Sequence, residues 1–566
     1  MTVNEKAQLW LDSDKVSAEL KDEIKSASKE QLNDMFFKNL EFGTGGMRGL
    51  LGPGPNRMNI FTVTKVTVGF AKYLLNTYSD AKVRGVVLSH DNRINSRLFV
   101  LTASKVLNDF GINTYIFDSL RPTPELSFAT RYVHAVGGIM VTASHNPKEY
   151  NGYKVYDDTG CQLVPEQIQP LLDIIANLGD ELTLTYTPEA VRGEEKILSS
   201  EVDDAFMQKV HSVALNPADK KVIKIVFTPQ HGTSSVLGRR LFKELGYEFY
   251  PVLSQCDPDP LFSHTLSPNP EKKEAYTEAI KLAKQVGADL ILTTDPDADR
   301  CGLGYKMKDG EYRLLTGNET GALLIDYVLS NRHQRGLIKS NSVICDTIVT
   351  STLGEKIAAH YGVGTRSFLT GFKYIGSAIN KAEKTHEFTF EFGYEESYGY
   401  IFADFCRDKD SLESLLMIAE MTNHYALEGK DLGEKLEELY KAYGYHICKL
   451  YDIYFEGESG LKRMAQIMDS LRHDHLKEIA GVKVVKIEDY ELLKTYSEDK
   501  ETDLVGFPKS NVLKFFLEDG SWIAVRPSGT EPKCKFYYEA VDTKKEDAID
   551  KPEKFHHAVL KLVGIE

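Results

Sequence analysis

The sequence predicts an α/β protein that consists of three related α/β domains and a smaller C-terminal α+β domain. Three observations lead to this prediction. The chain has 566 residues, of which 42% are apolar, and this is more than one hydrophobic core usually serves. Three segments repeat one layout of strand, polar loop, amphipathic helix, glycine and second strand. After about residue 450 this layout gives way to a different pattern of helix and strands.

The three repeated segments begin at Val83, Lys221 and Ser342. Their predicted helices cover residues 98–109, 235–245 and 353–360, and each is followed by a glycine, Gly111, Gly246 or Gly362. A glycine at the end of a helix, in this order of elements, is typical of doubly wound α/β structure. Ligands of such folds bind beyond the carboxyl ends of strands, so the loops that follow the strands are where a site is expected.

The regions outside these repeats have other patterns. The first forty residues mix apolar residues such as Leu9, Trp10 and Val16 with many charges, which predicts helices packed on the first domain. Residues 177–200 are polar and irregular, which indicates a long connection. Residues 460–472 favour a helix.

Strands are predicted after that helix, at residues 482–487 and 512–517, and together these elements form the predicted α+β domain. We therefore expect four domains, at residues 1–216, 217–322, 323–452 and 453–566.

Composition excludes several classes of protein. The N-terminal segment MTVNEKAQLWLDSDKV lacks an apolar signal core, and no apolar run approaches the length of a membrane span, so we expect a cytoplasmic protein with no membrane partner. Seven cysteines without paired spacing fit reduced thiols rather than a disulfide framework or a zinc site. A net charge of −15 disfavours nucleic acid as a partner. The oligomeric state is not predicted.

The segment DPDADR predicts a cation site at the end of a strand. Alternate residues of an extended segment point the same way, so Asp295, Asp297 and Asp299 converge. Three oxygen donors suit Mg²⁺ or Ca²⁺, and the alternative is an acidic surface turn. An EF-hand loop is excluded, because it needs glycine and glutamate where this chain has Arg300 and Lys306. An arginine beside a cation site also indicates an anionic ligand such as phosphate.

The segment TASHNP follows the strand-like GGIMV and contains a candidate nucleophile, Ser144. The chain shows no G-x-S-x-G elbow and no evident triad, which disfavours an ordinary serine hydrolase. A metal held by the three aspartates could organise a phosphoryl group on the Ser144 oxygen, with His145 and Lys154 supplying charge. The alternative is a solvated serine in a loop.

The segment RPSGTEPK has the groups that a phosphate dianion requires. Arg526, Ser528 and Thr530 supply side-chain donors, Gly529 allows close backbone N–H groups, and Lys535 adds charge nearby. The alternative is a turn in a surface hairpin.

The segment GYEESYG places Glu395 and Ser397 two residues apart, a spacing suited to hydrogen bonds with vicinal hydroxyls of a sugar. The alternative is an acidic loop without a ligand.

The segment GTGGMRG resembles a dinucleotide-binding fingerprint, but Arg48 stands where the last glycine is required. A flexible glycine loop that presents Arg48 to an anion fits the residues better. The chain has no G-x-x-x-x-G-K-[ST] loop, so a nucleoside triphosphate is not expected.

Taken together and in this order, these loops resemble those of the α-D-phosphohexomutase superfamily, and the spacing over nearly the full chain looks like its phosphoglucomutase branch. The resemblance implies three α/β domains with mixed sheets and a smaller C-terminal α+β domain around a central cleft. It also implies Mg²⁺ as the metal and glucose 1,6-bisphosphate as intermediate and activator. The segment RDKDS, residues 407–411, departs from the pattern at its last position, where relatives often have glycine, and this bears on the sugar preference.

The resemblance also implies roles for single residues. The metal ligands would be Ser144, Asp295, Asp297 and Asp299. The catalytic candidates are Ser144, which would carry the phosphoryl group, with His145, Lys154, Arg48 and Arg300, of which Lys154 is a candidate for proton transfer. The substrate-binding candidates are Lys373 of TGFKYI, Glu395 and Ser397 for the sugar, and Arg526, Ser528, Gly529 and Thr530 for the distal phosphate.

The expected activity is reversible phosphoryl transfer between the 1- and 6-positions of a hexose phosphate, and the expected partners are small sugar phosphates. Glucose is the expected sugar, and the alternatives within the class are a phosphopentomutase, a phosphomannomutase and a hexose-bisphosphate synthase. A magnesium-dependent sugar phosphatase and a non-catalytic phosphosugar sensor are the alternatives from other classes.

Overall fold

The computed structural model of the protein describes residues 1–43, 46–455, 457–473, 476–498, 500–527 and 533–565. These residues form two compact units. The first unit comprises Met1–Thr320 and Gly371–Asp431, and the second comprises Gly321–Thr370 and Leu432–Glu566.

The helices of the described residues are, in chain order, α1 (Val3–Asp12), α2 (Ala18–Ser26), α3 (Lys29–Phe36), α4 (Ile60–Thr77), α5 (Ala81–Arg84), α6 (Ser96–Asp109), α7 (Thr123–Tyr132), α8 (Pro165–Ala176), α9 (Ser200–His211), α10 (Ser234–Leu245), α11 (Thr277–Val286), α12 (Gly317–Gln334), α13 (Thr352–His360), α14 (Phe372–Thr385), α15 (Ser411–Leu427), α16 (Leu432–Tyr443), α17 (Gly457–His473) and α18 (Lys545–Leu562). Short 3₁₀ turns occur at Leu253–Gln255 and Lys273–Tyr276.

The strands of the described residues are β1 (Phe42–Gly43), β2 (Gly46–Leu50), β3 (Val86–His90), β4 (Thr114–Phe117), β5 (Gly137–Val141), β6 (Tyr150–Asp157), β7 (Glu195–Leu198), β8 (Lys224–Thr228), β9 (Glu248–Pro251), β10 (Leu290–Thr294), β11 (Cys301–Lys306), β12 (Tyr312–Leu314), β13 (Ser342–Thr347), β14 (Gly364–Phe368), β15 (Thr389–Glu395), β16 (Gly399–Ile401), β17 (Tyr445–Tyr454), β18 (Glu478–Ile479), β19 (Val482–Asp489), β20 (Lys494–Ser497), β21 (Lys500–Asp503), β22 (Leu513–Leu517), β23 (Trp522–Pro527) and β24 (Lys533–Asp542).

Three short helices, α1 to α3, form the N-terminal part of the first unit, as the sequence predicted. Each begins after a serine or threonine whose side chain accepts a hydrogen bond from the first turn of the helix. Trp10 lies edge-on to Phe36 and to Phe61 of α4, with ring centroids 6.0 and 5.0 Å apart. These aromatic contacts attach the N-terminal helices to the rest of the first unit.

A mixed seven-stranded sheet follows, in the order β1-β2-β6-β5-β3-β4-β7. Strands β5, β3, β4 and β7 are parallel, and β6, β2 and β1 extend the sheet through antiparallel pairs. Strands β3 and β5 are buried along their full length, as is typical of parallel strands covered by helices. Strand β7 lies within residues 177–200, which were predicted to be an irregular connection.

The second sheet of the first unit has the order β12-β11-β10-β8-β9. Strands β10, β8 and β9 are parallel, while β11 and β12 are antiparallel, so this sheet is also mixed. Helix α10 ends at Gly246, whose φ of 76° lies in the left-handed region, so this glycine ends the helix as predicted. Farther along the first unit, β15 and β16 form an antiparallel pair between α14 and α15.

The second unit contains the parallel strands β13 and β14 and an antiparallel sheet in the order β17-β24-β23-β22-β19-β20-β21. Helices α17 and α18 contribute Met464, Ile467, Phe555 and Val559 to the core of this sheet. The predicted class is therefore confirmed, with mixed α/β sheets and a smaller antiparallel C-terminal domain. The predicted domain boundaries stay predictions.

A buried carboxylate, Glu539 of β24, links the two segments of the second unit. It accepts hydrogen bonds from Ser351 Oγ at 2.5 Å, Thr352 Oγ1 at 2.7 Å and Trp522 Nε1 at 2.6 Å, and it lies 3.1 Å from His446 Nδ1. Burial opposes the ionisation of Glu539, but these donors and His446 lower its pKa overall. The carboxylate is thus stabilised without exposure to solvent.

Among the described residues, no helix is both long enough and apolar enough to cross a membrane.

Candidate active site

Ser144 lies in the loop that directly follows β5. Its φ of 52° is in the left-handed region, which is uncommon for a residue other than glycine, and only 3% of its surface is exposed. The Oγ atom donates a hydrogen bond of 2.8 Å to Oδ2 of Asp295 and lies 3.2 Å from Nδ1 of His145. Three residues that the sequence predicted to be in the site, Ser144, His145 and Asp295, are therefore close together.

A glycine allows the neighbouring strand to approach the Ser144 loop. A Cβ atom added to Gly152 of β6 would lie 2.4 Å from the carbonyl oxygen of Thr142 and 2.9 Å from that of Met47. These distances are too short for any side chain, so only glycine allows β6 to lie between the loop and β2. Strand β6 also bears Lys154, which points into the site.

The three aspartates follow β10, and all are buried, with exposures of 0%, 0% and 2% for Asp295, Asp297 and Asp299. One oxygen of each lies within 4.8 Å of an oxygen of the others. Burial and the charges of the other two aspartates raise the pKa of Asp295 well above its usual value. Burial acts in the same direction on Asp297, but the ammonium group of Lys154 lowers the pKa of Asp297 overall. Burial therefore opposes the ionisation of these aspartates, and nearby positive charge is needed to keep them ionised.

The donor set of this cluster fits a hard divalent cation. Oδ1 of Asp297 and Oδ1 of Asp299 are buried, and neither has a hydrogen-bond partner among the residues that the structure describes. Buried oxygens of this kind are rare unless an ion or a water satisfies them. Three convergent carboxylates are the ligands that Mg²⁺ and Ca²⁺ prefer. The Oγ atom of Ser144 is placed to join them, because it already contacts Asp295.

Two lysines contact the aspartates. Nζ of Lys154 lies 2.9 Å from Oδ2 of Asp297 and 3.5 Å from Oδ2 of Asp299. Nζ of Lys409 lies 3.1 Å from Oδ2 of Asp299 and 3.1 Å from Oδ1 of Asp408. Burial alone would lower the pKa of each lysine, but the adjacent carboxylates raise both pKa values. Both lysines are therefore charged at neutral pH.

Lys409 lies in the segment RDKDS but was not predicted from the sequence to be a site residue. Its carboxylate partner Asp408 accepts a hydrogen bond of 2.9 Å from the hydroxyl of Tyr156, which lies two residues after Lys154 on β6. Residues two apart on a strand point to the same face. This spacing was the one signal in the sequence that Tyr156 belongs beside Lys154.

Arg300 lies at the end of the aspartate loop. Its backbone N–H donates to Oδ1 of Asp295 at 3.0 Å, and Nη1 forms an ion pair of 2.6 Å with Glu271. Burial would lower the pKa of Arg300, but Glu271 and the aspartates raise it, so the guanidinium is charged. Glu271 was not identified from the sequence, because it comes from a polar loop 29 residues earlier.

Arg48 and His145 lie near the same loop. Arg48 is exposed on β2, and its Nη1 donates to Oδ1 of Asn146 at 2.9 Å. Burial and the positive charges of Arg300 and Arg48 lower the pKa of His145 well below its usual value. The imidazole is therefore neutral near pH 7. Thr44 and Gly45 of the segment GTGGMRG lie outside the described residues.

The candidates for sugar recognition lie in two segments that are joined by a hydrogen bond. Oε1 of Glu395, at the end of β15, accepts the N–H of Gly371 at 2.8 Å. Gly371 precedes α14, whose first turn carries Lys373, and both Lys373 and Glu395 are 7% exposed. Ser397 is half-buried two residues after Glu395. Glu395 therefore fixes the position of Gly371, directly before the helical turn that carries Lys373.

Arg526 lies in the second unit, at the end of β23, and pairs across the sheet with Lys535 of β24. It is half-buried. The other candidates of this loop, Ser528, Gly529 and Thr530, lie outside the described residues.

Three further residues beside Ser144 were not identified from the sequence, namely Asp91, Arg93 and Thr142. Asp91 and Arg93 follow β3 in the segment HDNR, and both side chains are completely buried. Their position directly after a strand of the first repeated segment is the feature of the sequence that could have identified Asp91 and Arg93.

Sequence models of four domains match the chain in order. They are described as phosphoglucomutase/phosphomannomutase alpha/beta/alpha domains I, II and III, at residues 39–181, 204–308 and 316–443, and the C-terminal domain, at residues 465–553.

Full-length relatives and a solved structure also resemble the chain. A phosphoglucomutase from Staphylococcus haemolyticus is 37% identical over 506 residues, which are 89% of this chain and 90% of that protein. One from Staphylococcus aureus is 36% identical over 534 residues, which are 94% of each chain. A crystal structure of a putative phosphomannomutase from Thermus thermophilus has a TM-score of 0.67 and 20% identity, and the match covers 93% of this chain and 99% of that one.

The solved structure shows a shared fold, and the four domain matches together cover most of the chain. The relatives are similar over nearly their full length. The resemblance to the α-D-phosphohexomutase superfamily is confirmed, and the chain belongs to the phosphoglucomutase/phosphomannomutase family of phosphosugar mutases.

Proposed function

We propose that this protein is a phosphoglucomutase, which interconverts glucose 1-phosphate and glucose 6-phosphate through a phosphoserine at Ser144 and glucose 1,6-bisphosphate. The contact between Ser144 Oγ and Asp295 carries the proposal, because it places a buried hydroxyl at a carboxylate cluster suited to a divalent cation. The names of the staphylococcal relatives support glucose as the sugar. A cytoplasmic location belongs to the same proposal.

Mg²⁺ is the proposed metal. Ser144, Asp295, Asp297 and Asp299 would hold it, and it would supply positive charge to offset that of the transferring phosphoryl group. The two buried carboxylate oxygens without a hydrogen-bond partner among the described residues, on Asp297 and Asp299, support this assignment.

The transfer moves one phosphoryl group and one proton. The bond between phosphorus and Ser144 Oγ breaks, and a bond between phosphorus and the free sugar hydroxyl forms. The hydroxyl proton passes to a basic group, and the departing Ser144 Oγ takes up one proton in return. The second transfer reverses these steps at the other end of the sugar and phosphorylates Ser144 again. Neutral His145, with Nδ1 at 3.2 Å from Oγ, can accept the proton that Ser144 loses in that step.

Lys154 and Lys409 would supply charge and proton transfer on the side of the sugar. Both are held protonated by their aspartate partners, so their first role is to stabilise the charge of the phosphoryl group. Either lysine could serve as the base once its partner carboxylates are neutralised, because the charges that raise its pKa are then offset. Arg300 and Arg48 would add positive charge at the same phosphate.

The remaining candidates are proposed to bind the rest of the sugar phosphate. Glu395 and Ser397 would accept and donate hydrogen bonds with the sugar hydroxyls, and Lys373 would lie beside them because Glu395 holds the residue before its helix, Gly371. Arg526, with Ser528, Gly529 and Thr530, would bind the distal phosphate.

The proposal is tested by incubating the protein with glucose 1,6-bisphosphate and Mg²⁺, then measuring its intact mass and mapping the phosphorylated peptide. We expect one phosphoryl group, located on Ser144. A phosphate on any other residue would overturn the assignment.

The sugar is tested by comparing kcat/KM for the 1-phosphates of glucose, mannose, ribose and deoxyribose. We expect glucose 1-phosphate to give the highest value. Continuous release of inorganic phosphate without isomerisation would instead indicate a phosphatase.

A further inference from the structure

The guanidinium group of Arg93 lies behind the Ser144 loop and has no exposed surface. A guanidinium has five N–H donors in a fixed planar fork. Here Nε, Nη1 and Nη2 together meet five acceptors. They are Asp91 Oδ2 at 3.0 Å and the carbonyl oxygens of Pro147 at 2.8 Å, Tyr150 at 3.1 Å, Ser144 at 2.5 Å and Asn146 at 2.6 Å.

Asp91 connects this group to the other side of the same serine. Its Oδ2 accepts a hydrogen bond of 2.7 Å from the hydroxyl of Thr142. The same hydroxyl oxygen of Thr142 accepts the backbone N–H of Ser144 at 2.8 Å. The N–H and the C=O of Ser144 are therefore both fixed by one buried network that starts at Asp91 and Arg93.

This network stabilises an unfavourable backbone conformation of Ser144. Ser144 has a φ of 52°, in the left-handed region that sterically disfavours residues with a Cβ atom. Such a conformation persists only where the surrounding structure fixes it. In this conformation Ser144 Oγ reaches Asp295 at 2.8 Å.

We propose that Arg93 is a positioning residue for phosphoryl transfer, which holds the backbone of Ser144 in the left-handed conformation that directs its Oγ to Asp295. Arg93 donates hydrogen bonds to the carbonyls of the loop, and the Thr142 hydroxyl accepts the N–H of Ser144. This inference rests on the proposed function, because transfer through Ser144 is the step that it affects.

The test uses three variants and a control. Arg93→Lys keeps the charge but cannot supply five donors. Thr142→Val removes the hydroxyl at nearly constant shape and leaves the buried arginine in place, whereas Thr142→Ser keeps the hydroxyl. The control is Arg97→Lys, since Arg97 is close in sequence and also donates to a backbone carbonyl, that of Phe117 at 2.8 Å, outside the serine loop.

We expect Arg93→Lys and Thr142→Val to lower kcat and the rate of Ser144 phosphorylation by about 100-fold, the scale of an ångström-sized misplacement, with KM for glucose 1-phosphate nearly unchanged. Thr142→Ser should largely restore the rate, and Arg97→Lys should match the wild type. A merely structural role would change the melting temperature but would not separate kcat from KM in this way.

Crystal structures of Arg93→Lys and Thr142→Val provide a second measurement that does not depend on activity. The inference is overturned if Ser144 keeps its φ and its contact with Asp295 in both variants. It is also overturned if both variants keep the wild-type kcat. Failure of the wild type to take phosphate on Ser144 would instead remove the proposed function, and the crystal structures would still decide whether Arg93 positions Ser144.

Discussion

Ser144 Oγ donates a hydrogen bond of 2.8 Å to Asp295 Oδ2, although 151 positions separate the two residues in the chain. Each residue closely follows a fully buried strand, β5 or β10. Both side chains are therefore presented from the ends of rigid elements, which fixes their separation more closely than mobile loops could.

Replacement of the serine tests its role as the carrier of the phosphoryl group. Ser144→Ala should reduce mutase turnover to background and abolish incorporation of phosphate from glucose 1,6-bisphosphate, because no oxygen remains at that position. Ser104→Ala is the matched control, since Ser104 is also buried but bonds to Thr114 and Glu195. Near-normal turnover of Ser144→Ala with Mg²⁺ and bisphosphate present would refute the role of the serine.

Lys409→Met tests the balance of charge around the aspartates. The variant should bind Mg²⁺ more tightly, by roughly tenfold, because it removes a like charge within a few ångströms of the cation, and it should turn over more slowly. Isothermal titration calorimetry with Mg²⁺ and steady-state kinetics would measure the two effects. Lys281→Met, which changes an exposed lysine paired with Glu278, should alter neither. Weaker binding of Mg²⁺ by Lys409→Met would contradict this account.

Asp410, which caps α15, should make stability depend on pH. Burial raises its pKa to about 7, although the N–H groups of Leu412 and Glu413 oppose this effect. An aspartate in an unfolded chain has a pKa of about 4, so between about pH 4 and about pH 7 the folded protein binds more protons than the unfolded chain. The contribution of Asp410 to the free energy of unfolding should therefore decrease as pH rises through this range.

Denaturation of the wild type and of Asp410→Asn across this pH range measures that contribution. The asparagine cannot ionise but keeps an oxygen for the N–H groups of Leu412 and Glu413, so its stability should fall less steeply with pH. Asp14→Asn, at an exposed position, should follow the wild type. Parallel curves for Asp410→Asn and the wild type would show that Asp410 does not titrate in this range.

Arg526→Ala tests the proposed phosphate site of the second unit. Loss of charge-assisted hydrogen bonds, worth about 1.5–3 kcal/mol each, should raise KM for glucose 1-phosphate by roughly 10- to 100-fold. The variant should still accept a phosphoryl group on Ser144 from saturating bisphosphate. Arg335→Ala, at an exposed arginine, is the control. An unchanged KM in Arg526→Ala would remove Arg526 from the site.

The sequence predicted those parts of the fold and site that depend on local pattern. The glycine after α10 and the loops after β5 and β10 could be placed because strand and helix periods are visible in short windows. Strand β7 was missed because most of its residues are exposed and lack an alternating apolar pattern, so only its pairing with β4 makes it a strand.

Residues whose roles depend on distant partners could not be placed in this way. Lys409 contacts Asp299 across 110 positions of the chain, and Arg93 binds carbonyls 51 to 57 positions away. No short window of sequence contains both partners of such a contact. The carbonyls that Arg93 binds also belong to the backbone, and every residue type has such a carbonyl, so the sequence does not identify them as partners.

Among the described residues, the side chains and carbonyls that hold the backbone of Ser144 come from residues 91–150, whereas Glu395 and Lys373 lie at the end of β15 and the start of α14, more than 200 positions later. The nucleophile and the proposed sugar contacts are thus built from separate stretches of the gene. A library of variants restricted to residues 371–397 could therefore be selected for new sugars while the reacting serine keeps its own supports.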